Sequence, residues 1–156
     1  MNEMTKAQVL GNIRTARATW EAALTSLNDD QITQPGAGGW SIKDIIAHLT
    51  WHEREMIGVV QAHALVGSEM WGWPLDERNH AIYLANRDRS LPEVRQEAGQ
   101  VYALLLQSLE TLSDEDLNDP AGFPGMPEDW QPWKLIAENT WEHYQDHLAD
   151  VQAGHK

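Results

Sequence analysis

Seven histidines occur in the 156-residue chain, and four of them form two pairs at i, i+4: His48 with His52, and His143 with His147. On a helix that spacing stacks two imidazoles on one face about a turn apart, the arrangement that two ligands of one metal ion require. Two such pairs on separate helices say more than either alone, because metal sites in bundles are assembled from facing helices. The sequence has no Cys, which removes thiolate sites, disulfides, iron–sulfur clusters and cysteine nucleophiles and leaves His, Asp and Glu as ligand types. Glu53, Glu142 and Asp146 adjoin the paired histidines and are the candidate groups for proton transfer or for orienting a ligand. No Gly-x-Ser-x-Gly, phosphate loop or dinucleotide fingerprint competes, since Gly36-Ala37-Gly38-Gly39 lacks the preceding strand such motifs need. The same spacing also suits boundary histidines bonded to neighbouring acids or carbonyls, while His63, His80 and His155 form no pattern.

The elements that must carry these residues read as helices. Apolar residues recur at helical spacing over 9–27, after a Thr5-x-x-Gln8 capping box. A second helix opens at Ser41, with Asp44 three residues on, and carries Ile42, Ile45, Ile46, Leu49, Met56, Val59 and Val60. A third follows Ser90-x-x-Glu93 and continues to Leu112; a fourth opens at Gln131-Pro132 and continues to Gln152. Residues 113–127 read as a loop with at most one helical turn at 114–117. No segment alternates like a strand, so the chain is predicted to be all-α, a four-helix bundle in one domain spanning 1–156. The connection over 67–89, between the second and third helices, is a long crossover, far above the usual two to eight residues, in which 75–87 reads as either a short helix or a partly ordered connection. Its Trp71, Trp73 and Tyr83 are expected to cover the mouth of the site and contact substrate, alongside His52; capping the end of the bundle is the plainer role for the same aromatics.

On a wheel of ~100° per residue, His52 and His147 fall roughly 60° from the centre of their apolar stripes, and His48 and His143 roughly 100°. All four are therefore predicted at the margin of the buried face. Spacing alone does not choose three ligands from the four.

Acidic residues outnumber Lys and Arg by 24 to 11, a net charge of −13 that repels phosphate backbones and anionic lipid, so neither nucleic acid nor membrane is an expected partner. No run approaches the ~20 apolar residues of a spanning helix. Residues 1–6 lack a secretory pattern, which predicts a cytoplasmic location.

The run Gly39-Trp40-Ser41-Ile42-Lys43-Asp44-Ile45-Ile46-Ala47-His48-Leu49, followed by His143-Tyr144-Gln145-Asp146-His147, resembles the DinB-like superfamily of four-helix-bundle proteins over essentially the whole chain. That resemblance implies a divalent metal on His48, His143 and His147, with His52 outside the triad. Zn or Ni is the first expectation, and Fe, Mn or Cu also accept imidazole. Residues 73–91 and 112–117 also resemble the ClbS/DfsB branch, some members of which lack the triad that this chain retains. Three functions follow from the resemblance. One is a metal-dependent enzyme of the thiol-dependent transferase, isomerase or hydrolase type, acting on a small molecule with a low-molecular-weight thiol as co-substrate. The second is a detoxification or self-resistance protein without essential metal, and the third a non-catalytic small-molecule-binding bundle. A homodimer is expected from the superfamily's habit, with Trp71 and Trp73 as interface candidates.

Overall fold

Each long helix starts where a side chain can satisfy the free N–H groups of its first turn. In the computed structural model, which describes residues 3–153, Thr5 and Gln8 close a capping box on α1 (Lys6–Thr25), and Asn28 and Gln31 close another on the short α2 (Asp29–Thr33). Ser41 and Asp44 do the same for α3 (Ile42–Ala62), preceded by Gly39 at φ 93°, a backbone angle that side chains resist. The crossover contains one 3-10 turn, Glu69–Gly72, and then α4 (Leu75–Asn86). Ser90 caps α5 (Leu91–Leu109) through its hydroxyl, but the Glu93 carboxylate accepts from that hydroxyl and does not close the expected box. The chain continues through α6 (Asp114–Asn118), a 3-10 turn at Pro120–Gly122, α7 (Pro132–Glu138) and α8 (Trp141–Ala153). No strand occurs among the described residues, and the architecture is the expected all-α bundle.

The expected fourth helix is two. Asn139 Nδ2 donates to the Leu135 carbonyl at 2.9 Å and Thr140 Oγ1 to that of Ile136 at 2.6 Å. Side chains that bond back to the i−4 carbonyl bend a helix, and Asn139 leaves helical geometry at φ −103°, ψ 4°. Residues 29–33, between the first two expected helices, form α2, because Asn28 caps it and Asp29 and Asp30 sit favourably in its first turn.

Helix α3 packs along α5, α1 along α8, and α4 lies on α3. Fourteen of the 21 residues of α3 are buried, so it is enclosed on most sides and carries Asp44, His48, His52 and Glu53 into the interior, with Arg54 and Gln61 left on its exposed strip. Leu10, Ile13 and Trp20 of α1, Met56 of α3, Leu105 of α5 and Tyr144 of α8 meet in one hydrophobic cluster. None of the described helices is long and apolar enough to cross a membrane.

Candidate metal centre

All four paired histidines converge. The Nε2 atoms of His48 and His143 lie 3.1 Å apart across α3 and α8. Ligand atoms of His48, His52 and His143 all fall within 4.8 Å of one another. The His147 ring packs against His143 and His48 at centroid distances of 4.9 and 5.4 Å, while its Nδ1 faces Asp150 Oδ2 at 3.1 Å. His52, which the family resemblance left out of the triad, thus occupies the tight grouping, and His147 flanks it. The wheel's marginal placement holds for the half-buried His143 and His147 but not for α3, where His48 and His52 are each 5% exposed. Their burial comes from neighbours that a single-stripe wheel omits, α8 on one side and the crossover on the other.

The interior position sets the charge state. Burial lowers the imidazole pKa values to about 3 at His48, about 4 at His52 and about 2 at His143. The other rings of the cluster and the Arg78 cation lower them further, and at His52 the Asn139 hydrogen bond pulls the other way. All three are neutral at physiological pH, the form in which imidazole ligates a metal.

Asn139 selects a tautomer. Its Oδ1 lies 2.8 Å from His52 Nδ1 and, with no proton of its own, makes that nitrogen the donor. His52 Nε2 is left as a buried lone pair with no partner. Six buried side-chain polar atoms lack a partner among the described residues: His48 Nδ1, His52 Nε2, His143 Nδ1, Glu53 Oε2, Arg78 Nε and Asn79 Oδ1. Half of them are on the three clustered imidazoles. Buried polar atoms are nearly always bonded, so the His52 Nε2 lone pair is the one available to a ligand, while the orphaned Nδ1 atoms of His48 and His143 belong to the other side of rings whose Nε2 atoms face each other. A divalent ion with nitrogens at 2.0–2.1 Å in tetrahedral geometry separates its ligand atoms by about 3.3 Å, close to the observed pair. Neutral donors, an orphaned lone pair and that spacing together fit a metal ion.

The surrounding aromatics wall the cluster in. Trp40 lies edge-on to His48 at 5.4 Å and stacks on Tyr83 of α4 at 5.7 Å, 11° from parallel. Trp71 stands 5.5 Å from His52 and 5.3 Å from Trp51, and its Nε1 donates to Glu55 Oε1 at 2.8 Å. Gly67 permits that approach, since a Cβ there would meet Trp71 Nε1 at 2.9 Å. Trp73 is 41% exposed and no described ring contact ties it to the imidazoles. The expected exposed pair Trp71 and Trp73 is therefore split: the first packs inward because Glu55, Trp51 and His52 hold it. A cavity of about 600 Å³ is bounded by the 34–38 turn, Trp40, Ile45 and His147, the histidine that flanks the cluster.

Of the acidic candidates, Glu142 and Asp146 sit on the exposed face of α8, because one residue along a helix is a ~100° rotation away from the histidine beside it. Glu53 is buried but turns toward α1, where Oε1 meets Arg17 Nη1 at 2.9 Å and accepts from Tyr144 Oη. Burial pushes the Glu53 carboxyl up to about 7 against the downward pull of Arg17. His63 ends α3 in left-handed geometry at φ 51°, stacks on Phe123 and bonds Gly122, away from the site. His80 is exposed beside Tyr83, and His155 lies outside the described residues. Arg78 and Asn139 carried no signal in the sequence motifs; the one available cue was the Asn-Thr pair inside an otherwise good helix.

The sequence model of the DinB superfamily matches residues 12–151. Among solved structures, the one titled Sibling Lethal Factor Precursor, DfsB, superposes with a TM-score of 0.79 at 19% identity, covering 97% of this chain and 95% of that one. A Streptococcus pneumoniae protein gives 0.82 at 12%, covering 98% and 91%, and an uncharacterised Escherichia coli UTI89 protein gives 0.74 at 15%, covering 96% and 91%. At these identities the likeness is one of fold. Comparison of the sequence with curated proteins gives no match.

Proposed function

The chain belongs to the DinB superfamily, and from that premise we propose that it is a metal-dependent enzyme, of transferase, isomerase or hydrolase type, built on a divalent ion held by His48 and His143. His52 is the third ligand in the conformation described, and His147, the third ligand expected from the family pattern, stands next to it. The observation that carries this reading is the convergence of one ligand nitrogen from each of three neutral imidazoles within 4.8 Å, with His52 Nε2 a buried lone pair that has no partner.

Three imidazoles leave the ion's charge uncompensated and a coordination position open; there it would bring a bound water or thiol to a pKa near ~7, or polarise a carbonyl. The chain's own residues then have defined tasks. Asn139 holds the His52 proton on Nδ1 and presents Nε2. Trp40, Tyr83 and Trp71 exclude water from the cluster, and the cavity beside His147 admits a small molecule, for which a low-molecular-weight thiol is the co-substrate proposed. The working location proposed is the cytoplasm.

The test is the metal content of untagged protein purified without chelator. About one equivalent of Zn, Ni or another divalent ion is expected, with near-complete loss in His48→Ala and His143→Ala while the helical circular dichroism persists. His52→Ala against His147→Ala identifies the third ligand. Protein that takes up no Zn or Co at micromolar concentration would remove the enzyme reading. The fold shared with the DfsB structure then favours a protective protein that acts in the same groove without essential metal.

A further inference from the structure

We propose that Arg78 is an anion-binding residue of this site, and that the molecule it receives carries a carboxylate. The proposal rests on the metal reading only for what that carboxylate lies beside. Arg78 comes from α4, its Cζ 4.6 Å from the centre of the Trp71 ring, which also stands 5.5 Å from His52 and 5.3 Å from Trp51. The guanidinium is thus laid on an aromatic platform that is fixed by its own hydrogen bond to Glu55.

In a chain with 24 acidic residues, an arginine ordinarily finds a carboxylate. Five of the other six, Arg17, Arg54, Arg87, Arg89 and Arg95, each have one within 4.0 Å, and the sixth, Arg14, lies exposed to water on α1. Arg78 has none among the described residues, although its Nε is shut off from water and has no acceptor. Glu55, on the far side of Trp71, is already taken by the Trp71 indole and by the Ser68 amide at 2.6 Å. Beside Arg78 in sequence, Asn79 Oδ1 is also buried without a donor. A fork of N–H donors with no acceptor, held rigid next to uncharged imidazoles, matches the planar geometry of a carboxylate. A phosphate dianion would be repelled twice over in the field of a chain charged −13, which favours the monoanion.

Acetate and its neutral isostere acetamide distinguish recognition of a negative charge from simple filling of the pocket. Each is titrated into chelated and zinc-loaded protein while the Arg78 Nε–H and Trp71 Nε1–H resonances are followed by nitrogen-15 NMR. Acetate should move both saturably, about tenfold or more tighter than acetamide, and Arg78→Gln should abolish that preference while cobalt(II) uptake, read from its visible absorption, is retained. Arg78→Lys should restore part of it. Equal response to the two probes overturns the proposal, as does an acetate preference that survives in Arg78→Gln, which would put the anion on the metal. If no cobalt binds but acetate still acts through Arg78, the metal reading falls and this one stands.

Discussion

Replacing Asn139 with Ala removes the hydrogen bond that fixes the His52 tautomer, together with the Asn139 bond to the Leu135 carbonyl. In the native chain His52 Nδ1 donates to Asn139 Oδ1 over 2.8 Å, and His52 is 5% exposed, so no water replaces the lost acceptor. Orphaning a buried donor of this kind costs about 1–3 kcal/mol of stability. The metal site should suffer in parallel, because the proton is then free to move to Nε2 and block the lone pair; loss of such a partner typically lowers metal affinity 10–100-fold, or about 1.4–2.7 kcal/mol. The assays are urea denaturation of the metal-free protein and competition for Zn against a chromophoric chelator. Asn139→Asp, which keeps the acceptor, should retain most of the affinity. A fall in stability with Zn affinity unchanged within twofold would show that His52 is not a ligand and would hand its place to His147. No change in either would refute the assignment of the His52 proton to Nδ1.

Four further outcomes follow from particular contacts. With His48, His52 and His143 neutral down to about pH 4, Zn binding at pH 6 should release almost no protons from them, against about two from three histidines of ordinary pKa; calorimetry in buffers of different ionisation enthalpy reads this directly, and two released protons would contradict the burial effect. The Glu53 pKa, raised from 4.5 to about 7, means the folded state binds the extra proton, so its contribution is full below pH 4.5 and is lost as pH rises through 7. Wild type should therefore lose up to about 3 kcal/mol relative to Glu53→Gln across that window, and parallel stability curves would show that Arg17 keeps the carboxylate ionised throughout. Trp71→Phe retains the platform but drops the indole bond to Glu55, and should cost about 1–2 kcal/mol in thermal or urea unfolding; an unchanged midpoint would mean that Glu55 does not fix the ring. The homodimer proposed from the superfamily's habit should scatter light as twice 17.6 kDa at micromolar concentration, and a monomer mass would end that proposal.

What was legible in the sequence was whatever repeats with a period or begins with a cap. Thr5, Ser41 and Ser90 announce three of the long helices, and the apolar recurrences behind them identify the core faces that the structure buries. The fourth helix reads as continuous because Trp133, Ile136, Ala137, Tyr144 and Leu148 keep the period across Asn139 and Thr140. A break made by two side chains bonding backward to carbonyls leaves no gap in an apolar pattern.

The choice of ligands was illegible for a related reason. A wheel assumes that a helix buries one stripe, and by that construction His48 falls further from the core than His52. Enclosed by α5, α8 and the crossover, α3 gives both the same exposure. The crossover itself has no periodic signal, yet it delivers Trp71, Arg78 and Tyr83 around the imidazoles. Sequence patterns report where a chain obeys the rules of packing and polar satisfaction, and functional sites are where a fold departs from them. Here two departures lie close together: neutral histidines facing one another, and an arginine without an acid on the Trp71 ring that borders His52. Orphaned buried polar atoms are costly, and the cation and anion proposed above would each supply partners that the fold leaves missing.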